Sequence, residues 1–329
     1  MREKTVFYTL LLLLAVILPF IYHDLDLVLR AVLMACAVLG LQLLMSYGGQ
    51  ISLGNAAFMG LGAYISGVLS VKFGLPSLLT IFVAVAVTAL IALIVGYPLL
   101  RLKGYYLALG TLAFGLSVTS LISTLYTWTG GPAGLIGIPD IGWGDFEITN
   151  RAIYYYIAVA MFAIFFWYSS NLMKSRVGRA LLTLKSSENT AEAMGIRTAK
   201  VKLQFFVLSA VFAAFSGAVM GHYLGIIVPS QFNVIISIEL LIAMLLGGEA
   251  ILIGSLVGSL LWFFISDFTH SVAIPRMFML GLIMIVLILF VEHGVSQAFI
   301  KVYNRIKTGI TGKSPEKRIV QGGETNDIS

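Results

Sequence analysis

The chain has 329 residues, of which 59% are apolar and 11% charged, with a formal net charge of +6 and a mean hydropathy of +0.97. A water-soluble globule carries about 25% charged residues, so this composition excludes one and makes lipid the main solvent. A single cysteine, Cys36, excludes an internal disulfide and a thiolate metal cluster, and its place inside an apolar window makes it a small packing residue.

A helix needs about 20 mostly apolar residues to cross the hydrocarbon core. Ten windows of that kind follow in chain order: 5–22, 27–46, 51–71, 78–100, 104–126, 152–170, 203–224, 234–247, 249–266 and 277–291, the eighth and tenth being short. In lipid the backbone must satisfy its own hydrogen bonds, and the windows are too long and too continuously apolar for barrel strands. The predicted fold is therefore all-α, a polytopic membrane helical bundle of about 10 transmembrane helices. Its membrane domain covers 1–300, and 301–329 is a polar cytoplasmic tail expected to be disordered. The first window lacks a small-residue cleavage site and ends at Pro19, Phe20 and Tyr22, which reads as a retained anchor.

Charge sets the expected orientation. With a cytoplasmic N-terminus, strict alternation places Arg101, Lys103, the loop 171–202 and the tail from 292 inside, and these segments with the N-terminus hold 17 of the 21 Lys and Arg. Only Arg30, Lys72, Arg151 and Arg276 fall outside. Cytoplasmic loops carry such an excess, so the net charge is accounted for without a nucleic-acid partner.

Two segments at span ends are rich in turn residues. "YGGQISLGNAAFMGLGAY", Tyr47 to Tyr64, combines five glycines with Gln50, Ser52 and Asn55, a breakable polar start of the kind that lines a cavity or pathway. "TGGPAGLIGIPDIGWGDF", Thr129 to Phe146, reads as a structured external surface, either a docking face or a rigid connector. Glu239 is the one acid clearly within a window. Burying it is costly, so it either lines or gates the route near the outer mouth or makes an interhelical hydrogen bond. Gly217, Gly221 and Gly225, and Gly254 and Gly258, recur every four residues and form flat stripes for close helix packing.

The loop 171–202 is too long for a turn and carries helix signals. Asn189 with Glu192 resembles a capping box, Glu188 suits a helix N-terminus, and Gly195 supplies a stop, giving a short helix from about Thr190 to Met194. Gly178, Arg179 and Leu182 read as a preceding amphipathic segment, and Ala191 and Ala193 leave room for close docking of a partner. Enzymatic chemistry lacks a candidate set. His23, His222, His270 and His293 are never at ligand spacing. "GKS" at Gly312 to Ser314 has Lys307 where a phosphate loop needs glycine.

Taken together, "GGQISLGNAAFMGLGAY", "KGYYLALGTLAFG", "TGGPAGLIGIP", "GRALLTLKSSENTAEAMGI", "KLQFFVLSAVFAAFSGAVMGHYLG" and "SIELLIAMLLGG" resemble, in order and spacing, the LivM-type permeases of branched-chain amino-acid ABC importers, over about residues 30 to 295. The resemblance implies a type II ABC importer-like permease of a bacterial inner membrane. Its partners would be a LivH-like second permease, two cytoplasmic ATP-binding subunits and an external substrate-binding protein. ATP and magnesium would be used by the ATP-binding subunits, with no cofactor on this chain. The loop helix would be the coupling element, through Gly178, Arg179, Glu188, Ala191, Glu192 and Gly195, while Gln50, Ser52, Asn55 and Glu239 are the pathway candidates.

The chain departs from the family in having Gly247-Gly248-Glu249-Ala250-Ile251-Leu252-Ile253-Gly254-Ser255 after the eighth span, no proline near Val291-Glu292-His293-Gly294, and Asn55 where histidine is frequent. Urea and short-chain amide permeases look similar, so the resemblance leaves amino acid and amide open. A secondary transporter or channel would call for more ionisable residues within the spans.

Overall fold

The computed structural model describes residues 25–143, 146–148, 150–249 and 251–271, with isolated positions at 278, 281, 282 and 285. The windows 5–22 and 277–291, the tail 301–329, His23, His293, the side chain of His270 and the Gly312–Ser314 motif lie outside the described residues.

Each of the eight remaining windows is a helix. In chain order they are α1 (Leu25–Gln42, continued by a widened π-type turn Leu43–Tyr47), α2 (Asn55–Phe73), α3 (Ser77–Leu99), α4 (Tyr105–Thr124), then a short α5 (Tyr126–Thr129), and α6 (Arg151–Lys174). Two helices of the polar loop follow, α7 (Arg176–Ser186) and α8 (Glu188–Ala193), and then the spans α9 (Thr198–Leu224), α10 (Val234–Gly247) and α11 (Gly254–Ser271). Among the described residues six helices are long and apolar enough to cross a membrane, and α10 and the apolar part of α11 are shorter.

Helix α1 is apolar on every side, which is the pattern of a helix enclosed by others. Of its apolar window 94% is buried, against 33% for α3 and for α4, so α1 is the axis of the bundle. It packs on α6, α9, α10 and α11. The outer helices α3 and α4 turn Phe82, Leu90, Ile94 and Leu116 outward, side chains that lipid accepts.

Small residues decide which helices touch most closely. A Cβ on Gly62 of α2 would collide with the backbone of Ala214, and one on Gly217 of α9 with the backbone of Met59. Backbones at this separation gain van der Waals contact that larger side chains would prevent. Helices α10 and α11 meet in the same way, Gly247 against Gly254 and Gly258 against Ala243. Gly225 leaves the predicted stripe. It ends α9 with φ +67° and donates to the Gly221 carbonyl, a left-handed cap that glycine adopts without strain.

Two short strand pairs hold the described part of this external segment, one of them to the chain just after α9. Strand β1 (Leu135–Ile136) runs antiparallel to β4 (Ile226–Ile227), and β2 (Gly142–Trp143) pairs with β3 (Phe146–Glu147). His222 is buried in this junction, with Nδ1 2.8 Å from the Pro139 carbonyl and Nε2 2.7 Å from Ser66 Oγ. It is a packing histidine, and no group of three metal-ligating side chains occurs among the described residues.

Candidate functional site

The end of the bundle that carries Arg101, Lys103, Lys185 and Lys202 holds α7 and α8. Ser175 caps α7, accepting from the Gly178 N–H at 3.3 Å. The cap of α8 is Ser187, whose Oγ accepts from the Thr190 N–H at 3.3 Å, and not Asn189. The helix therefore starts two residues earlier than expected, and the Glu192 carboxylate accepts from Thr198 Oγ1 at 3.0 Å instead of closing a capping box. The stop is Gly195, at φ +77°. Its N–H donates to the Glu192 carbonyl at 2.9 Å and the Ile196 N–H to the Ala191 carbonyl at 3.0 Å, the paired bonds of a glycine-terminated helix.

So short a helix has no stability of its own, and three bonds anchor this unit to the spans. Lys202 Nζ lies 2.6 Å from Glu188 Oε1, Lys103 Nζ 3.6 Å from Glu188 Oε2, and Lys185 Nζ donates to the Ser46 carbonyl at 2.5 Å. The Lys202 hydrogen bond, joined by the charges of Lys202 and Lys103, holds the Glu188 carboxyl below its ordinary range against the opposing effect of partial burial.

The coupling candidates separate into two sets. Ala191 is fully buried in its own chain, and Gly178 is buried at the α6–α7 corner, where a Cβ would meet the Met173 backbone at 2.5 Å. Both lie beneath the surface of this chain. Arg179, Glu192, Ala193 and Gly195 are exposed, and Val177, Leu182 and Met194 add apolar surface, Met194 at 69% exposure.

Residues 48–54 are unwound between α1 and α2. Thr111 Oγ1 accepts from the Leu53 N–H at 3.0 Å and Ser237 Oγ from the Ala56 N–H at 3.1 Å, so side chains of α4 and α10 replace the missing intrahelical partners. Asn55 is buried and satisfied, donating to the Ala37 carbonyl and accepting from Ser209 Oγ at 3.1 Å. It ties α1, α2 and α9 together. Ser52 is buried, and Gln50 lines a crevice of roughly 130 Å³ beside Lys103, Lys185 and Glu188.

Glu239, 3% exposed, lies at the opposite end. It lines a cavity of roughly 740 Å³ with Asp26, Arg30 and Asp267, the rim residues Ser230 and Gln231, and the thioethers of Met34, Met59 and Met220. Asp26 is engaged by Arg151 Nη1 at 3.0 Å and by the Tyr223 hydroxyl. Arg30 Nε is enclosed without a hydrogen-bond partner among the described residues. The four pathway candidates are thus not in one place. Glu239 belongs to the large cavity, Gln50 to the small crevice, and Asn55 to a helix junction.

The family described as "Branched-chain amino acid transport system / permease component" matches residues 25–291. The chain belongs to this permease family. It is 26% identical over 317 residues to the "High-affinity branched-chain amino acid transport system permease protein LivM" of Salmonella typhimurium and, to the same extent, to that of Escherichia coli, covering 89% of this chain and 75% of each relative. An "Autoinducer 2 import system permease protein LsrC" of Escherichia coli is 26% identical over 214 residues, covering 55% of this chain and 58% of the relative. No solved structure matches.

Within this permease, Arg30, Asp26 and Asp267 of the large cavity and Lys202 beneath α8 were not among the sequence candidates. Arg30 had a legible signal. It stands inside the window 27–46 as Glu239 stands inside 234–247, opposite charges in two spans, although charge asymmetry alone makes it an external residue.

Proposed function

We propose that this permease is the membrane-spanning subunit of an ATP-driven importer that carries branched-chain amino acids across a bacterial inner membrane. The observation that carries the reading is the α7–α8 unit. It is a pair of loop helices fixed to α9, to the end of α1 and to the α3–α4 turn by Glu188, Lys202, Lys185 and Lys103, with Val177, Leu182 and Met194 left exposed beside Arg179 and Glu192. A surface of that kind at the basic, cytoplasmic end suits docking of an ATP-binding subunit, and the rigid attachment would pass its motion to the spans. The other partners in this reading are a LivH-like second permease and an external binding protein, and the transport systems named for the LivM relatives favour the same substrate class.

The test is uptake into proteoliposomes containing the assembled subunits and the cognate binding protein, with leucine, isoleucine, valine and urea as substrates. ATP-dependent accumulation of the three amino acids is expected. Uptake without ATP would make the chain a secondary transporter or channel, and accumulation of urea alone would replace the substrate class.

A further inference from the structure

The crevice beside α8 gathers more positive charge than its own wall neutralises. Lys103, Lys185 and Lys202 line it with a single carboxylate, Glu188. An ammonium has three N–H donors. Lys202 gives one to Glu188 and Lys185 gives one to the Ser46 carbonyl. Gln50 lies in the same wall, 3% exposed, and neither its Nε2 nor its Oε1 has a hydrogen-bond partner among the described residues. A buried amide in that state is costly, and an anionic oxygen in the crevice would accept from Nε2.

Helix α4 adds to the same field. It starts after Gly104, which has φ +54° and gives no side-chain cap, and both Gly104 and Leu107 line the crevice. The positive end of a helix favours an anion. The volume of roughly 130 Å³ is well below the about 300–1,000 Å³ of a pocket for a whole small molecule, so the space suits one compact anionic group. Its neighbours are those of a membrane surface. Arg101 stands over the Tyr97 ring at 4.9 Å, and Tyr105 and Tyr106 are exposed on the first turn of α4, an aromatic and basic belt of the kind found at headgroup level.

We propose that this crevice binds a phosphate group, held by Lys103, Lys185, Lys202 and the Gln50 amide at the start of α4. The group belongs to an anionic phospholipid or is free phosphate, which present the same oxygens. Bound there, it joins the end of α1, the α3–α4 turn, α7 and α9, the elements against which α8 is held. The assignment is independent of the substrate that the permease carries.

The full chain in its subunit assembly is placed in nanodiscs of digalactosyldiacylglycerol, a bilayer lipid without phosphate. One sample receives phosphatidylglycerol in the bilayer, another inorganic phosphate in the buffer, at constant ionic strength. A thiol at Leu102→Cys, in the crevice wall, is labelled with uncharged N-ethylmaleimide, with little background because Cys36 is buried. Val177→Cys, on the exposed side of α7, controls for surface charge. Labelling at Leu102→Cys should slow about tenfold once the ligand exceeds its Kd by that factor, and labelling at Val177→Cys should not change. Slowing by phosphatidylglycerol identifies the lipid headgroup, and slowing by inorganic phosphate identifies the free ion. Gln50→Leu and Lys103→Gln should each remove most of the effect; Gln50→Leu does so without altering charge, whereas a glutamine that only packs would leave the effect in place. No slowing by either phosphate source, equal slowing at Val177→Cys, or slowing retained in both variants overturns the site. The first two results need neither variant, so a variant that fails to assemble does not shelter the proposal.

Discussion

The attachment of α8 to the spans can be broken at one bond. Lys202 is only 11% exposed and Glu188 28% exposed, at 2.6 Å, so Glu188→Gln leaves a nearly buried ammonium without its counterion. Removing one partner of a fully buried pair costs about 3–5 kcal/mol, and exposed pairs are worth about 0.2–1 kcal/mol. The present geometry lies between, at about 1.5 kcal/mol, which is roughly tenfold in the equilibrium between docked and undocked α8. Lys103, 75% exposed and 3.6 Å away, adds little.

A thiol at Ala191→Cys reports the opening, since Ala191 is the fully buried residue of α8 and Cys36 is silent by burial. Labelling should accelerate about tenfold in Glu188→Gln. It should accelerate less in a double variant with Lys202→Met, where no unpaired charge remains. The pH dependence has a definite sign. A carboxyl whose folded pKa lies below its unfolded value contributes stability above the unfolded pKa and loses it as pH falls through the folded one. The folded pKa of Glu188 is lowered, so protection should be constant down to about pH 4.3 and decline below that. A pyridyl disulfide, reactive in acid, can follow it, and Glu188→Gln should abolish the decline. Equal labelling in the wild type and both variants would show that α8 is held by apolar contacts alone.

Gly217→Leu should disrupt the α2–α9 contact, because a Cβ there collides with the Met59 backbone; overpacking of this kind costs about 1–3 kcal/mol, and a lower midpoint of thermal unfolding in nanodiscs measures it. Cysteines at Asn189 and at Ile136, both exposed, should label from opposite faces of sealed vesicles, and labelling of both from one face would refute the orientation read from charge.

Much of the fold was legible because lipid imposes one rule everywhere: a long apolar run must be a helix. That rule located all eight windows that fall on described residues, including α10, recognised as short from its 14 residues. It says nothing about which side of a helix faces inward. The small size of Ala191 fits docking of a partner, and in the fold the same small side chain is buried within its own chain. Asn189 and Glu192 have capping-box spacing, but Ser187 adopts the extended backbone that a cap requires, at φ −163°. A charge near a span end serves orientation equally well, so the sequence alone does not single out Arg30. Only the fold brings it to the same cavity as Glu239.

Helix α1 connects the two ends of the site. Its lower end receives Lys185 at the Ser46 carbonyl, and its upper part carries Arg30 into the cavity, 16 residues or about 24 Å away along a helix. Between them Gln42 is fully buried and its Nε2 faces the carbonyls of Gly248, Glu249 and Ile251 at 3.0, 3.3 and 2.8 Å. Those carbonyls form the turn between α10 and α11, where a buried acceptor without a donor costs about 1–3 kcal/mol. The turn is therefore fixed to α1 through backbone atoms and not through its own side chains. Gln42 thereby ties the turn that follows α10, the helix of Glu239, to α1, the helix of Arg30. Lys185 of α7 bonds to the same helix, at Ser46.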